Sequence, residues 1–552
     1  MQPIGRSFFL SIAMLALIPA PSLAAYDPAR EYVEAPAVAR RYPDPDVSLP
    51  TPGFAAGRQD FTSHAEMLAF LNATVVNSPD AHVRIVGRSQ QGRSIPLVIM
   101  ARGGAASGAE LLKNGRPTLL VIGLQHGNEP AGGEAALAFI HELSTPAGGA
   151  VLDRLNVLVV PRANPDGAEA FVRGLANGGD VNRDHLLVST PEGAALALVN
   201  REFQPDIVLD CHEFGVRTRW FEKFGGLQRH DALIQYASVS NLEPALTQLA
   251  DQRFRGPLLA ALAQSGFTSS WYYASSYNMQ DKVVSMGGVV PDTGRNIAGL
   301  RNAVSFLIET RGVGIGRAHF KRRVATHLVA MRTFARAASE QPDDLLTRLR
   351  AIRSAVVASA GHGDITVIGA ATPTRHTLDL IDPDSGADKP VEVDWRDALT
   401  MTVRLARPRP YGYVLEAAQT DASSRLRALG VTMQRIDSEG DVDADRYVVA
   451  TMSEAPKEDV RRNDEDAQSN VVRLTTRLVQ ATVHVRPGDW YVPLDQPLAN
   501  VIVAALEPET QSSYAANRLL TLPSRPGPDA YLPMVRLQKP LTLPALEYSP
   551  AQ

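Results

Sequence analysis

Four apolar runs punctuate the first three-fifths of the chain, and each stops at a cluster of polar residues. Thr118-Leu119-Leu120-Val121-Ile122-Gly123-Leu124 leads into Gln125-His126-Gly127-Asn128-Glu129. Leu155 to Val160 leads into Pro161-Arg162-Ala163-Asn164-Pro165-Asp166-Gly167. Ile207-Val208-Leu209 leads into Asp210-Cys211-His212-Glu213, and Val304 to Ile308 into Glu309-Thr310-Arg311-Gly312. Continuous apolar runs of this length predict strands of a sheet covered on both faces. Helical spacing lies between them, in Ala131 to Leu143 after Pro130 and in parts of Asp231 to Ser265. Strands alternating with helices predict an α/β fold, in which ligands sit beyond the carboxyl ends of the strands. All four polar clusters fall there.

The flanking patterns set the expected organisation. Ser63 is placed to cap a helix running through Leu71, and Gln90-Gln91-Gly92 is placed to turn a hairpin between Val83–Gly87 and Ile95–Met100. Val324, Leu328, Met331 and Phe334 predict a helix that closes a catalytic domain spanning 61–340. Residues 345–552 carry short alternating and β-branched stretches and read as a β-rich accessory region, with Glu454 to Asp466 as a solvated loop. Residues 25–60, rich in Pro, Ala and Asp, read as an extended leader. Before them, Arg6 precedes the apolar run Phe8 to Ile18, and Ser22-Leu23-Ala24 supplies a cleavage site before Ala25. That is the pattern of a secretory signal peptide over 1–24, too short for the ~20 apolar residues of a membrane span. The expectation is an exported protein, periplasmic or secreted, with no membrane span after signal removal.

Composition changes this picture little. A chain of 552 residues calls for at least two domains, and a formal charge of −4 gives no reason to expect nucleic acid as a partner. The lone cysteine, Cys211, excludes an internal disulfide, and its apolar run predicts a buried, inert thiol.

Chemistry enters at His126-Gly127-Asn128-Glu129, the one place where a histidine is followed by Glu three residues later. Such a pair can aim an imidazole nitrogen and a carboxylate at one ion. Catalytic zinc takes three protein ligands and keeps a position for water. His212, at another strand end, is the candidate third ligand. Taken singly, Glu129 reads as a helix cap and His212 as a structural histidine; their joint placement at strand ends favours a metal site.

Together these residues resemble the zinc carboxypeptidases, the metallocarboxypeptidases of family M14. The resemblance covers residues 60 to 340 and rests on motifs in order: His126-x-x-Glu129, Asn164-Pro165-Asp166-Gly167, Arg173, Asp180-Val181-Asn182-Arg183, Asp210-x-His212 and Ile308-Glu309-Thr310. The interval of nine residues from Arg173 to Asn182 resembles bacterial and regulatory members. The resemblance implies a mixed twisted sheet flanked by helices and one Zn2+ in the catalytic domain, held by His126, Glu129 and His212. It implies Glu309 as general base, Arg173 as stabiliser of the oxyanion, and Asn182 and Arg183 as the clamp on a substrate's terminal carboxylate. Asp180 resembles the carboxylate that orients the first zinc histidine, and Asp210 is placed to do the same for His212. The implied partner is a peptide or peptidoglycan-peptide substrate with a free C-terminus.

The sequence departs from the family in two places. Asn128 stands where digestive members carry arginine. The mobile tyrosine expected about twenty residues before Glu309 is missing, with Tyr272, Tyr273 and Tyr277 as nearby candidates. Arg295 and Arg301 match no family motif; substrate binding in a diverged pocket is open to both, and surface pairing is the favoured expectation. Two other functions share parts of the pattern: a zinc amidohydrolase of aspartoacylase type, and a catalytically inactive binding protein. Asn164 to Gly167, the setting of Glu309 and the signal segment favour the peptidase over the first. The full set of ligands and base favours it over the second.

Overall fold

The computed structural model of the protein describes residues 26–76, 78–459 and 470–547, so the expected signal segment lies outside the described residues. Its central sheet has eight strands in the order Ala81–Arg88, Ser94–Met100, Asn156–Val160, Thr118–Gly123, Ile207–Gly215, Val304–Val313, Ala232–Tyr236, Ser269–Trp271. The four apolar runs are its four adjacent middle strands, and all of them are parallel. Antiparallel neighbours on either side make the sheet mixed, as the family resemblance implied.

Side-chain alternation decides which groups face the core. Ile207, Leu209 and Cys211 on one middle strand, and Val304, Phe306 and Ile308 on the next, all enter one apolar core. Helices Pro130–Leu143 and Phe320–Glu340 pack into that same core, the latter through Val324, Leu328, Met331 and Phe334. Each such fully buried side chain contributes ~1.5–3 kcal/mol. The intervening residues therefore face the other side, and beyond the apolar runs of these two strands they include Asp210, His212 and Glu309. Parallel register pairs Glu309 with His212 directly, which puts both side chains on one face.

The helix expected from Ser63 forms as His64–Val75, with a capping box in which Ser63 and Glu66 satisfy each other's backbone N–H groups. Cys211 is fully buried, which pushes its thiol pKa well up, consistent with an inert role.

Two regions differ from expectation. Residues 26–60 are packed onto the domain rather than extended. Val38 and Tyr42 are buried in a small cluster with Val216, Leu227 and Ile315, and Tyr32 donates its N–H to Gly314 O at 2.8 Å. Residues beyond 345 interlock with what precedes them. The long hairpin Asp364–Ile381 and Asp388–Pro408 shares a five-stranded sheet with Leu227–Gln228, Val283–Ser285 and Ala274–Ser275. A seven-stranded sheet lies wholly between Gly412 and Glu547, and its core continues into Leu186, Ile297 and Leu300 of the first part. Arg301 joins the two parts: its guanidinium donates to Asn200 O and Leu429 O rather than pairing at the surface.

Candidate active site

Chain direction changes sharply after the first middle strand. Leu124 takes a left-handed conformation, φ 50°, and the turn that follows brings Gly127 against Gly167. A Cβ on Gly127 would lie 1.9 Å from the Gly167 carbonyl carbon, so only glycine permits this approach. Asn164 holds the other side. Its Oδ1 accepts the Gly167 N–H at 2.8 Å, and its Nδ2 donates at 3.0 Å to Gly174 O, next to Arg173. Asp166 ties in the hairpin turn by accepting from Ser89 Oγ, the Gln91 N–H and Arg93. The Asn-Pro-Asp-Gly stretch thus builds the floor under His126 and Arg173.

On that floor His126, Glu129 and His212 converge, all three buried. His126 Nδ1 lies 2.9 Å from Glu129 Oε1, His212 Nδ1 lies 2.9 Å from Glu129 Oε2, and the two Nδ1 atoms are 3.0 Å apart. Glu129 occupies the N-cap position of helix Pro130–Leu143 yet makes no capping bond, so the helix-cap reading of this residue does not hold. The outer nitrogen of each imidazole is held by a carboxylate: His126 Nε2 by Asp180 Oδ1 at 3.0 Å, His212 Nε2 by Asp210 Oδ1 at 2.9 Å. That carboxylate–imidazole arrangement fixes each ring with Nδ1 inward, as metal-ligating histidines require.

The electrostatics favour a cation. Burial alone would lower the His212 pKa, but Asp210 and Glu129 push it up to about 10. Burial would raise Glu129, but the two histidines hold it well below the carboxylate range. Two nitrogens and a carboxylate, with all atoms within 4.8 Å of one another, suit the ligand set of a zinc ion.

The remaining residues surround this cluster. Glu309, 3% exposed, lines a cleft of about 490 Å³ together with Glu129, Arg173 and Asp180. Arg173 bridges Glu129 Oε1 and Asp180 Oδ2 at 3.1 and 3.0 Å. Asn182 and Arg183 line an adjoining cleft of about 970 Å³ that shares Asp180 with the first. The Asn182 side chain is turned inward, with Nδ2 3.2 Å from His212 Nε2 and Oδ1 accepting the Gly294 N–H at 2.7 Å. Arg183 is engaged by Asp459. Of the candidate tyrosines, Tyr272 and Tyr277 border both clefts, and Tyr273, packed against Trp220 and Trp395, borders the smaller one. Arg295 is buried and lines the larger cleft, donating to Gly288 O, so it is not a surface residue.

Comparison with known proteins shows likenesses to carboxypeptidases. A family profile described as zinc carboxypeptidase matches residues 67–202, which include His126, Glu129, Arg173 and Asp180 to Arg183. The chain carries a metallocarboxypeptidase domain. Carboxypeptidase 2 of Trichophyton rubrum is 27% identical over 473 residues, spanning 84% of this chain and 85% of that protein. A probable carboxypeptidase 2 of Arthroderma benhamiae is 26% identical over 83% and 86%. These relatives are fungal, so the expected bacterial affiliation finds no support. Both alignments are longer than 61–340, so the likeness extends outside the expected metallocarboxypeptidase domain. Among solved structures, carboxypeptidase A of Helicoverpa armigera aligns with a TM-score of 0.40 at 16% identity, over 52% of this chain and 77% of that one. A putative carboxypeptidase A of Shewanella denitrificans aligns with a TM-score of 0.38 at 19% identity, over 50% and 70%.

Several residues around the candidate site were not singled out from the sequence. Gln125 donates to Asp210 Oδ1 at 2.6 Å and is met by His185 at 2.8 Å, extending the chain of contacts behind His212. Glu213 accepts the Ala131 N–H at the start of the helix after Glu129, and burial pushes its carboxyl up to about 7. His327 lies 3.1 Å from His212 O. Gln125 and Glu213 had a signal in being adjacent to ligands; His185 and His327 had none.

Proposed function

We propose that the protein is an exported zinc-dependent exopeptidase that removes residues from the C-termini of peptides. The observation that carries this reading is the convergence of His126, Glu129 and His212 beside Glu309, which register pairs with His212. His126, Glu129 and His212 hold the zinc, which when bound polarises a carbonyl and acidifies water. Glu309 accepts the proton from the attacking water on its carboxylate and delivers it to the leaving amine. Arg173 sets a guanidinium at the rim of the same cleft, where negative charge develops on the scissile carbonyl oxygen. Arg183, in the adjoining cleft, receives the terminal carboxylate by charge-assisted hydrogen bonds, which an internal amide cannot match. Asp180 and Asp210 keep the two imidazoles oriented, and Asn182, expected beside Arg183 in the carboxylate clamp, instead turns its amide to the outer nitrogen of His212 and the Gly294 N–H. Export rests on the N-terminal segment, and free-acid peptides are the substrate class the Arg183 cleft fits. No comparison supports cell-wall stem peptides.

The test is mass spectrometry of a mixed peptide library after incubation with the zinc-loaded mature protein, beside a chelated control. Stepwise loss of C-terminal residues, abolished by chelation, is expected. Internal cleavage, or no cleavage by a protein with zinc bound, would overturn the reading.

A further inference from the structure

The strand Gly440–Pro456 belongs to the seven-stranded sheet, and it runs on into Lys457, Glu458 and Asp459. Those three residues leave their own sheet and reach the clefts beside the metal cluster. Lys457 Nζ lies 2.7 Å from Oδ2 of the fully buried Asp292. Gln511 clamps the backbone between them, with its Oε1 accepting the Glu458 N–H and its Nε2 donating to Glu458 O, both at 2.9 Å. Asp459 is thereby presented from a fixed backbone. Its Oδ2 accepts from Arg183 Nε at 3.0 Å and Nη2 at 2.8 Å. The two side chains are only 18% and 20% exposed, and Asp459 borders both clefts.

A carboxylate on Nε and Nη2 of Arg183 occupies the face a peptide's terminal carboxylate would need. We propose that Asp459 is an internal competitor, a carboxylate from the C-terminal part of the chain that substrate must displace from Arg183. This rests on the reading of Arg183 as the clamp for the substrate carboxylate. Exchange of one carboxylate for another leaves the guanidinium paired throughout, so the cost of displacement falls on Asp459, whose carboxylate must turn out into the cleft as substrate enters. Apparent affinity is then the intrinsic affinity reduced by the fraction of molecules in which Arg183 is released. Asp459 therefore acts on KM through its bonds to Arg183, while Glu309 and the metal cluster set the chemistry.

The test is steady-state kinetics of the zinc-loaded full chain on a peptide with a free C-terminus. Asp459→Asn is expected to lower KM about tenfold with kcat close to wild type. Asp443→Asn, exposed on the same strand, is expected to change neither. Asp459→Ser serves if the asparagine variant folds poorly. Arg183→Ala is measured in parallel and is expected to raise KM. An unchanged or raised KM in the Asp459 variants, with KM raised by Arg183→Ala, would overturn the competitor and leave the clamp standing. An unchanged KM in Arg183→Ala would remove the clamp, and the competitor with it.

Discussion

Glu34 fixes the segment before the domain to the strand that carries Glu309, and its replacement by glutamine measures how firmly. Glu34 Oε1 lies 2.6 Å from Arg311 Nη2, and Oε2 lies 3.1 Å from His319 Nε2, with the Glu34 and Arg311 side chains 2% and 3% exposed. Burial alone would raise the Glu34 carboxyl, but the His319 hydrogen bond and the Arg311 guanidinium outweigh it and hold the pKa at about 2, from 4.5. A shift of that size corresponds to about 3 kcal/mol favouring the ionised form in the folded protein. Breaking a buried pair by removing one partner costs a similar amount, ~3–5 kcal/mol, because Arg311 is left without its carboxylate. Glu34→Gln is therefore expected to ease local opening of residues 28–54 by about 3 kcal/mol, roughly a hundredfold in the opening equilibrium. The probe is hydrogen exchange at the Tyr32 amide, which is bonded to Gly314 O. The pH dependence has a definite sign. A depressed acid contributes stability that is fully present above its unfolded pKa, near 4.5, and lost as pH falls towards 2. Protection at Tyr32 in the wild type should fall across that window, and the glutamine variant should be flat there. Equal protection in both proteins at neutral pH would refute the anchoring argument.

Three further outcomes are expected at the site. Glu309→Gln should keep one zinc per chain by elemental analysis and lose ~10²–10⁴-fold in kcat; a zinc-loaded variant with normal turnover would remove Glu309 from the mechanism. Asp180→Asn should weaken zinc binding ~10–100-fold in competition with a chelator, because it loosens the His126 ring; unchanged affinity would make Asp180 a turn residue only. Gly127→Ala should lower zinc occupancy without touching a ligand, since the added methyl meets the Gly167 backbone. Full occupancy in that variant would show that the floor of the site can yield.

Legibility in the sequence followed the range of the interactions. The middle strands were readable because each is buried on both faces and opens on a mostly apolar run, with Thr118, Asn156 and Ser305 as polar exceptions at or near three of the starts. The candidate metal ligands were readable because His126 and Glu129 lie three residues apart and His212 closely follows an apolar run. Glu309 needed the family pattern, since a lone carboxylate after a strand is common. The packing of residues 26–60 had no periodic signal, for it depends on isolated contacts of Glu34, Val38 and Tyr42 with distant partners. Lys457 and Asp459 fell in a stretch of mixed charge expected to be solvated. Their partners Asp292 and Arg183 lie 165 and 276 residues away, and no local pattern encodes such pairs. Arg295 and Arg301 were placed at the surface for the same reason, because only tertiary structure supplies the carbonyls that satisfy them.

The strand Val304–Val313 shows why the site depends on parts of the chain so far apart. Glu309 takes its position from sheet register with His212. The next residue, Thr310, points to the opposite face and lies 3.1 Å from His327 Nε2, and that nitrogen lies 3.1 Å from the carbonyl of His212. Arg311 turns back to the Glu309 face and is fixed by Glu34 and by Gln228 O. Gly312 follows because a Cβ there would lie 1.9 Å from Glu213 Oε1, whose backbone N–H in turn donates to the ligand Glu129. Four consecutive residues thus tie Glu309 to the helix behind the sheet, to the segment before the domain and to the cluster of His126, Glu129 and His212. A catalytic carboxylate must be held within about 0.5 Å of its productive position. If Glu309 is the base, as proposed, fastening the strand on both of its faces serves that tolerance, and loosening either fastening is expected to shift Glu309.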